Sequence, residues 1–158
     1  MNNHRIDLGL LIVEDDDAHA ELVQLALDEG PLDGPIYRVQ TAGAALQFLD
    51  DEMKQKALGC VLLDAKLSNR RRVAEKASVT ARSMSGLDVL RAVRSHSSNE
   101  VRTLPVVMLT SSSHKDARRD AYEAGANSFV QKPIEFEAFQ QTIQAIQRYW
   151  CTHNLRDV

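Results

Sequence analysis

The chain has 158 residues, a length that fits one domain built around one hydrophobic core. Hydrophobic residues make up 44% of the sequence and charged residues 26%, which is typical of soluble globular proteins. The apolar runs are too short to span a bilayer, the polar N-terminus does not resemble a signal peptide, and the net charge of −3 argues against general nucleic-acid binding. We therefore expect a cytoplasmic protein that binds neither membranes nor nucleic acids.

The first third of the chain predicts strand, helix, strand and helix in that order. An apolar run of buried-strand type comes first, and the acidic residues after it include two candidate caps for the first helix, Asp16 and Asp17. The predicted elements are a strand over 10–13, a helix over 18–26, a strand over 37–40 and a helix over 42–49 that Thr41 can cap.

The rest of the chain continues the alternation. A third buried run ends at Asp64, and a long polar stretch separates it from the helical pattern that begins at Gly86. The predicted elements are strands over 60–63, 106–109 and 128–130 and helices over 86–93, 114–124 and 136–150. Five successive β-α units predict a doubly wound parallel sheet with helices on both faces.

Polar side chains stand at the carboxyl ends of four predicted strands. They are Glu14 and Asp15, Asp64, Thr110, and Lys132. In a doubly wound sheet these ends meet at the crevice where ligands bind. Because three carboxylates repel one another, the cluster predicts a bound hard divalent cation. Magnesium suits such a site. A carboxylate beside such an ion can act as a nucleophile toward phosphorus, with Lys132 and Thr110 holding the other phosphoryl oxygens.

Four blocks of sequence resemble the signature motifs of response-regulator receiver domains. They read LIVED at 11–15, VLLD at 61–64, VMLTS at 107–111 and KP at 132–133, and the resemblance covers about residues 8–150. It implies a flavodoxin-like (βα)5 fold with five helices and the strand order 2-1-3-4-5. It also implies a response regulator of a two-component phosphorelay, which takes its phosphoryl group from a sensor histidine kinase.

The resemblance gives roles to the acidic residues. Asp64 would be the phosphoacceptor. Asp15, Asp64 and the backbone carbonyl of Lys66 would ligate Mg²⁺, or Mn²⁺ in its place, and Glu14 would act through a metal-bound water. The protein would be its own substrate rather than a turnover enzyme.

The resemblance also predicts a phosphoryl-binding and switch set. Thr110, Ser111 and Lys132 would bind the phosphoryl group, and Phe129 would turn inward when Thr110 moves. The Lys132–Pro133 peptide would be cis. Phosphorylation would then change the face formed by the fourth predicted helix, the fifth strand and the fifth helix.

A narrower resemblance points to the stand-alone receivers that partner bacterial and cyanobacterial phytochromes. It rests on GANSF at 125–129, Lys132–Pro133, Phe136, Phe139 and the aromatic pair at 149–150. It implies a single receiver domain over 1–158 without an output domain, a bacteriophytochrome as the kinase, and a homodimer formed through the region of the C-terminal helix.

The chain departs from the family pattern after the third strand. Asp64 and Gly86 lie farther apart than is usual for receivers, which predicts an insertion at about 68–83, rich in arginine and lysine. The insertion could steer an acidic partner, shield the phosphoryl group or contact a dimer mate, although the simpler interpretation is a mobile, solvated loop. Residues 151–158 are predicted to form a short tail.

Three other functions compete with the receiver interpretation. Phosphatases of the haloacid dehalogenase type also use a strand-end aspartate, but they need a second acid where this chain has Lys66. A degenerate receiver that only binds partners would lack an acid or the lysine of the site, and this chain has them all. DNA binding through the basic insertion conflicts with the net charge. His19 is predicted to be an ordinary surface residue, because no second histidine or cysteine stands at ligand spacing.

Overall fold

The computed structural model describes residues 8–30, 33–67, 84–112 and 114–156. Five parallel strands in these ranges form one sheet in the order β2-β1-β3-β4-β5, which confirms the predicted topology. The strands are β1 Gly9–Val13, β2 Ile36–Val39, β3 Leu58–Asp64, β4 Val106–Thr110 and β5 Ser128–Gln131. The predicted insertion at 68–83 lies outside the described residues.

Helices occupy the connections between the strands. They are α1 Asp17–Asp28, α2 Ala42–Leu49, α3 Glu52–Lys56, α4 Gly86–Arg94, α5 Asn99–Arg102, α6 Lys115–Glu123 and α7 Phe136–Arg148, and α7 continues into a π-helical turn, Tyr149–His153. The short helices α3 and α5 add to the five predicted ones. Each is too short to show a helical period in the sequence. Among the described helices, none has the length and apolar composition of a membrane span.

Side-chain caps determine where the helices around the carboxyl edge of the sheet begin. Of the two candidate caps for α1, Asp16 accepts the hydrogen bond, from the N–H of His19. Thr41 caps α2 as predicted, and Ser85 begins α4 with a capping box that includes Asp88. Because α1 begins at Asp17, Glu14 and Asp15 stay in the loop that leaves β1.

Two hydrophobic clusters cover the two faces of the sheet. One contains Leu11 and Val13 of β1 with residues of α2 and α4, and the other contains Leu10 and Ile12 with residues of α1 and α7. Every residue of β1, β3 and β4 is buried, which explains why these strands read as continuous apolar runs.

The first part of the predicted tail packs against the body of the domain. Cys151 is buried, and its carbonyl accepts a hydrogen bond of 3.1 Å from the N–H of Leu8. A Cβ placed on Gly59 of β3 would lie 2.7 Å from the Cα of Cys151, so only a glycine allows this contact. The Arg156 guanidinium donates to the carbonyls of Leu58 and Glu100. The end of α7 is therefore held at the amino-terminal edge of the sheet.

Candidate functional site

The predicted polar residues converge at the carboxyl edge of the sheet. In the strand register Val13 is level with Leu63, Asp64 with Leu109, and Thr110 with Gln131. The strands therefore end together and deliver the predicted residues to one place. These residues are Glu14 and Asp15 after β1, Asp64 at the end of β3, Thr110 at the end of β4 and Lys132 after β5.

Three carboxylates form a compact cluster at this edge. One oxygen from each of Glu14, Asp15 and Asp64 lies within 4.8 Å of the others. Glu14 is only 3% exposed and Asp64 only 7%, so water screens their mutual repulsion poorly. An all-oxygen donor set with excess negative charge fits a hard divalent cation such as magnesium.

Lys132 lies against two of these carboxylates. Its Nζ is 3.3 Å from Oε2 of Glu14 and 3.6 Å from Oδ1 of Asp64. The N–H of Lys132 donates to the carbonyl of Thr110 at 2.7 Å, which ties the lysine to the end of β4. One ammonium beside three carboxylates leaves the site negatively charged when all three are ionised.

The surroundings of the Glu14 carboxyl disfavour its ionised form. Burial raises its pKa above the ordinary value, and the nearby charge of Asp64 adds to this rise. The N–H of Asp16, 3.0 Å from Oε1, and the Lys132 ammonium lower the pKa without cancelling the effect of burial. Ionisation of Glu14 therefore destabilises the folded protein unless further positive charge lies nearby.

The backbone around Asp64 is tightly packed. The N–H of Lys66 donates to Oδ1 of Asp64 at 3.2 Å, while the Lys66 side chain is exposed. Gly86, the first residue of α4, lies directly behind this segment. A Cβ placed there would be 2.3 Å from the carbonyl oxygen of Asp64 and 3.1 Å from the Cα of Ala65. A side chain at residue 86 must displace the backbone that presents the Asp64 carboxylate.

We expect Gly86→Ala to destabilise the protein by about 1–3 kcal/mol, the usual cost of overpacking. Gly43→Ala in α2 is the matched control, because a Cβ there meets nothing within 4 Å. It should stabilise the protein by about 0.5–1 kcal/mol through helix propensity. Urea unfolding measures both changes. A Gly86→Ala protein as stable as the wild type would contradict the close packing described here.

The other predicted phosphoryl-site and switch residues lie at the end of β4, directly after it and on β5. Thr110 is buried, and its Oγ1 accepts a hydrogen bond of 3.0 Å from the N–H of Ser112. Ser111 is exposed at the edge of the site. Phe129 is half-buried against the cluster that includes α4, and its N–H donates to the Tyr122 hydroxyl of α6 at 3.2 Å. The predicted switch residue thus has a direct contact with α6.

One predicted feature of the site is wrong. The Lys132–Pro133 peptide is trans, and no cis peptide occurs among the residues that the structure describes. The trans isomer of an X–Pro bond is intrinsically favoured by about 0.5–1 kcal/mol, so a proline after the lysine does not by itself produce a cis bond. With the trans peptide, Lys132 still reaches Glu14 and Asp64.

Two residues join the site that the sequence did not point to. His19 is an exposed residue of α1, as predicted, and its Nδ1 also lies 3.4 Å from Nζ of Lys132 and 3.9 Å from Oε2 of Glu14. Arg38 of β2 donates to the backbone carbonyl of Glu14. The position of His19 could have been found from the Asp16 cap, which places it in the first turn of α1 beside the acidic loop.

A groove of about 450 Å³ opens beside this site, between the first part of α1 and the chain that enters α7. His19, Ser111 and Lys132 lie on its polar side. The apolar lining comes from Leu22, Val23, Pro133, Ile134, Phe136 and Phe139. Ile134 is fully exposed, and Leu22 and Phe136 are more than 40% exposed, which is unusual for large apolar side chains next to a charged site.

Comparison with known proteins agrees with the receiver-domain motifs of the sequence. A family model described as the response regulator receiver domain matches residues 78–144. The probable methanogenesis regulatory protein FilR2 of Methanothrix harundinacea (strain 6Ac) is 33% identical over 147 residues, which cover 92% of this chain and 84% of that protein.

Solved structures share the fold over nearly the whole chain. The bacteriophytochrome response regulator AtBRR is 31% identical with a TM-score of 0.63, and the match covers 96% of this chain and 98% of that one. The Mn²⁺-bound form of response regulator Rcp1 has a TM-score of 0.74 at 23% identity and covers 96% of this chain and 99% of that one. Rcp1 from Synechocystis sp. (strain ATCC 27184 / PCC 6803 / Kazusa) matches 144 residues at 24% identity, 89% of this chain and 87% of that protein.

Proposed function

Because this chain belongs to the response-regulator receiver family, whose members act in two-component phosphorelays, we propose that Asp64 accepts a phosphoryl group from a phosphohistidine of a sensor histidine kinase. The observation that carries the proposal is the convergence of Glu14, Asp15 and Asp64 within 4.8 Å, with Lys132 against the cluster. This arrangement combines an anionic nucleophile with groups that offset the charge of an incoming phosphoryl group.

In the proposed reaction a carboxylate oxygen of Asp64 attacks phosphorus. The phosphorus–nitrogen bond of the phosphohistidine breaks, its electron pair returns to the imidazole nitrogen, and an acyl phosphate forms on Asp64. Lys132, which pairs with Asp64 at 3.6 Å, is placed to follow the new negative charge onto the phosphoryl oxygens. Thr110 and Ser111 supply hydroxyl donors from the end of β4.

The metal in this proposal is magnesium, with manganese as a possible substitute. Asp15, Asp64 and the carbonyl of Lys66 would hold it directly, and Glu14 would do so through a water. When bound, the ion keeps the carboxylates ionised and offsets the charge of the transferred group. The buried all-oxygen cluster supports this assignment.

The proposed donor approaches along the apolar groove beside Lys132. A protein that brings a phosphohistidine to Asp64 from this side would cover the exposed apolar residues Leu22, Ile134 and Phe136, which explains their presence on the surface. The likeness to AtBRR, a bacteriophytochrome response regulator, supports a bacteriophytochrome as the kinase. Cys60 and Cys151 are free thiols, which favours a reaction in the reducing cytoplasm.

The proposed output is a change of the face formed by α6, β5 and α7. Thr110 and Phe129 lie on adjacent strands, and the Phe129 N–H bonded to Tyr122 connects that change to α6. A homodimer would form through the C-terminal end of α7 and the π-helical turn that follows it, where Tyr149 is 54% exposed beside Arg148 and His153.

The raised pKa of Glu14 predicts how stability depends on pH and metal. Its carboxyl has a higher pKa in the folded protein than its ordinary value of 4.5. Below that value Glu14 is protonated in both states and costs nothing. As the pH rises through the folded-state pKa, ionisation destabilises the metal-free fold. Glu14→Gln should therefore be more stable than the wild type at pH 7 in a chelator and lose this advantage below pH 4.5.

Magnesium should reverse that order. At a concentration of 100 Kd it stabilises the wild type by about 2.7 kcal/mol, and Glu14→Gln should gain less. Urea unfolding from pH 4 to 8, with chelator and with magnesium, measures these effects. Glu21→Gln, an exposed carboxylate of α1, is the control and should stay within about 0.5 kcal/mol of the wild type. A metal-free Glu14→Gln protein less stable than the wild type at pH 7 would refute the charge strain at Glu14.

The function itself is tested by incubating the purified chain with acetyl phosphate and magnesium and recording its intact mass. A gain of one phosphoryl group that requires magnesium supports the proposal. Failure to gain mass with acetyl phosphate, followed by failure with a panel of autophosphorylated histidine kinases, would leave a receiver that only binds partners.

A further inference from the structure

Arg38 joins β2 to the loop that carries two of the acidic residues. Its Nε and Nη2 lie 3.3 Å and 3.1 Å from the backbone carbonyl oxygen of Glu14, and Nη2 also lies 2.8 Å from Oδ1 of Asp17. A single guanidinium therefore holds the backbone between β1 and α1 and a side chain in the first turn of α1. Gln40 adds a weaker contact of 3.4 Å to the same Asp17 oxygen.

The Arg38 side chain supplies a hydrogen bond just beyond the last backbone pair between β1 and β2. Val13 is level with Val39, and the N–H of Glu14 donates to the carbonyl of Val39 at 3.1 Å. If β2 were longer, its next backbone N–H would donate to the Glu14 carbonyl. The chain instead turns into α2, which Thr41 caps. The forked guanidinium supplies that donor instead.

Fixing the Glu14 carbonyl also fixes the peptide that links Glu14 to Asp15. Because the peptide is planar, the direction of this carbonyl limits the backbone angles on both sides of it and hence the directions of both acidic side chains. We propose that Arg38 is a positioning residue for the magnesium site and sets the relative orientation of Glu14 and Asp15. This inference rests on the proposed function.

Charge and positioning predict opposite results when Arg38 is replaced. If Arg38 acted only through its charge, its removal from the acidic cluster would strengthen magnesium binding. If Arg38 orients the ligands, its removal should weaken magnesium binding by about 10-fold or more, as loss of an outer-shell partner does at metal sites. The direction of the change in Kd therefore separates the two explanations.

The experiment measures the Kd of the full chain for Mg²⁺ by isothermal titration calorimetry, with metal-free thermal unfolding as a second readout. Arg38→Met should weaken binding by about 10-fold or more. Arg38→Lys keeps the charge and loses the fork, so weaker binding here too indicates positioning. Arg119→Met is the matched control, because this exposed arginine of α6 pairs only with surface carboxylates in the described contacts.

Each outcome decides a separate point. The inference is supported if the wild-type chain binds Mg²⁺ and both Arg38 variants bind it more weakly. Equal or tighter binding by Arg38→Met overturns it and leaves the proposed function intact. If Arg38→Met does not fold, Arg38→Lys decides, and an unchanged Kd overturns the inference. A wild-type chain that does not bind magnesium overturns the metal-assisted function and the role of Arg38 together.

Discussion

Asp64→Asn should abolish the mass gain of one phosphoryl group that we expect of the wild-type chain with acetyl phosphate and magnesium. The carboxamide carries no negative charge, so it is a poor nucleophile and cannot form the acyl phosphate. Removing one of three crowded carboxylates should not unfold the protein, because it relieves repulsion with Glu14 and Asp15. The loss should therefore be chemical, with the thermal unfolding temperature preserved or raised.

Asp120→Asn is the matched control for this experiment. Asp120 lies on α6 and pairs with Arg119 at 3.6 Å, away from the acidic cluster. This variant should gain mass at the wild-type rate. A persistent gain by Asp64→Asn would place the phosphoryl group on another residue, and tandem mass spectrometry of the product would identify that residue.

The second large effect concerns stability, at Arg94 near the end of α4. Its guanidinium connects α4 to the two chain segments that lead into β4 and β5, by hydrogen bonds of 2.8–2.9 Å. The acceptors are the carbonyls of Arg102, Leu104 and Gly125 and the side-chain oxygen of Asn127. Asn127 passes the connection on, because the same oxygen accepts from the N–H of Val106 at 2.9 Å.

Arg94→Met should destabilise the protein by about 3–5 kcal/mol, because it removes the guanidinium donor from two partly buried acceptors, the carbonyls of Leu104 and Gly125. Burial lowers the pKa of Arg94, yet a guanidinium remains protonated at neutral pH, so the effect should not depend on pH between 6 and 8. Urea unfolding gives the free energy of unfolding, and Arg94→Lys should restore part of it.

Arg91→Met on the same helix controls for the loss of one arginine. Arg91 is exposed and its only described ion pair is with Asp88 at 3.7 Å, so the change should stay within about 0.5 kcal/mol. If Arg94→Met costs less than about 1 kcal/mol, water replaces the guanidinium at these acceptors and the connection is not structural.

The sequence predicted the carboxyl-edge residues well because they depend on topology alone. Once five strands are parallel, the residues that end them must meet, whatever the helices between them do. Thr41 and Asp16 were predictable for a similar reason, because a helix cap acts within a few residues. The short helices α3 and α5 were missed because a single helical turn has no measurable period.

Tertiary contacts account for most of the other differences. Arg38 acts on Glu14 across two adjacent strands, 24 positions apart in the chain, and local pattern does not contain that pairing. His19 lies on the surface as predicted, but its contact with Lys132 is a tertiary one that the local pattern does not contain. Cys151 looked like the start of a tail, although β3 has a glycine at position 59 that admits it. The cis peptide was inferred from family likeness, and the local residues do not require it.

The way α7 ends restricts the movements open to it. At one end, Phe136 borders the groove beside Lys132, and at the other the turn around Cys151 is fixed between Leu8 and Gly59 at the opposite edge of the sheet. Because α7 is held at this far end, we expect it to tilt about that end rather than slide along the sheet. On the proposed function, a small displacement near Lys132 would then be largest at the Phe136 end of the helix and smallest at its C-terminal end. A partner that detects this displacement would then bind near Phe136 rather than near Tyr149.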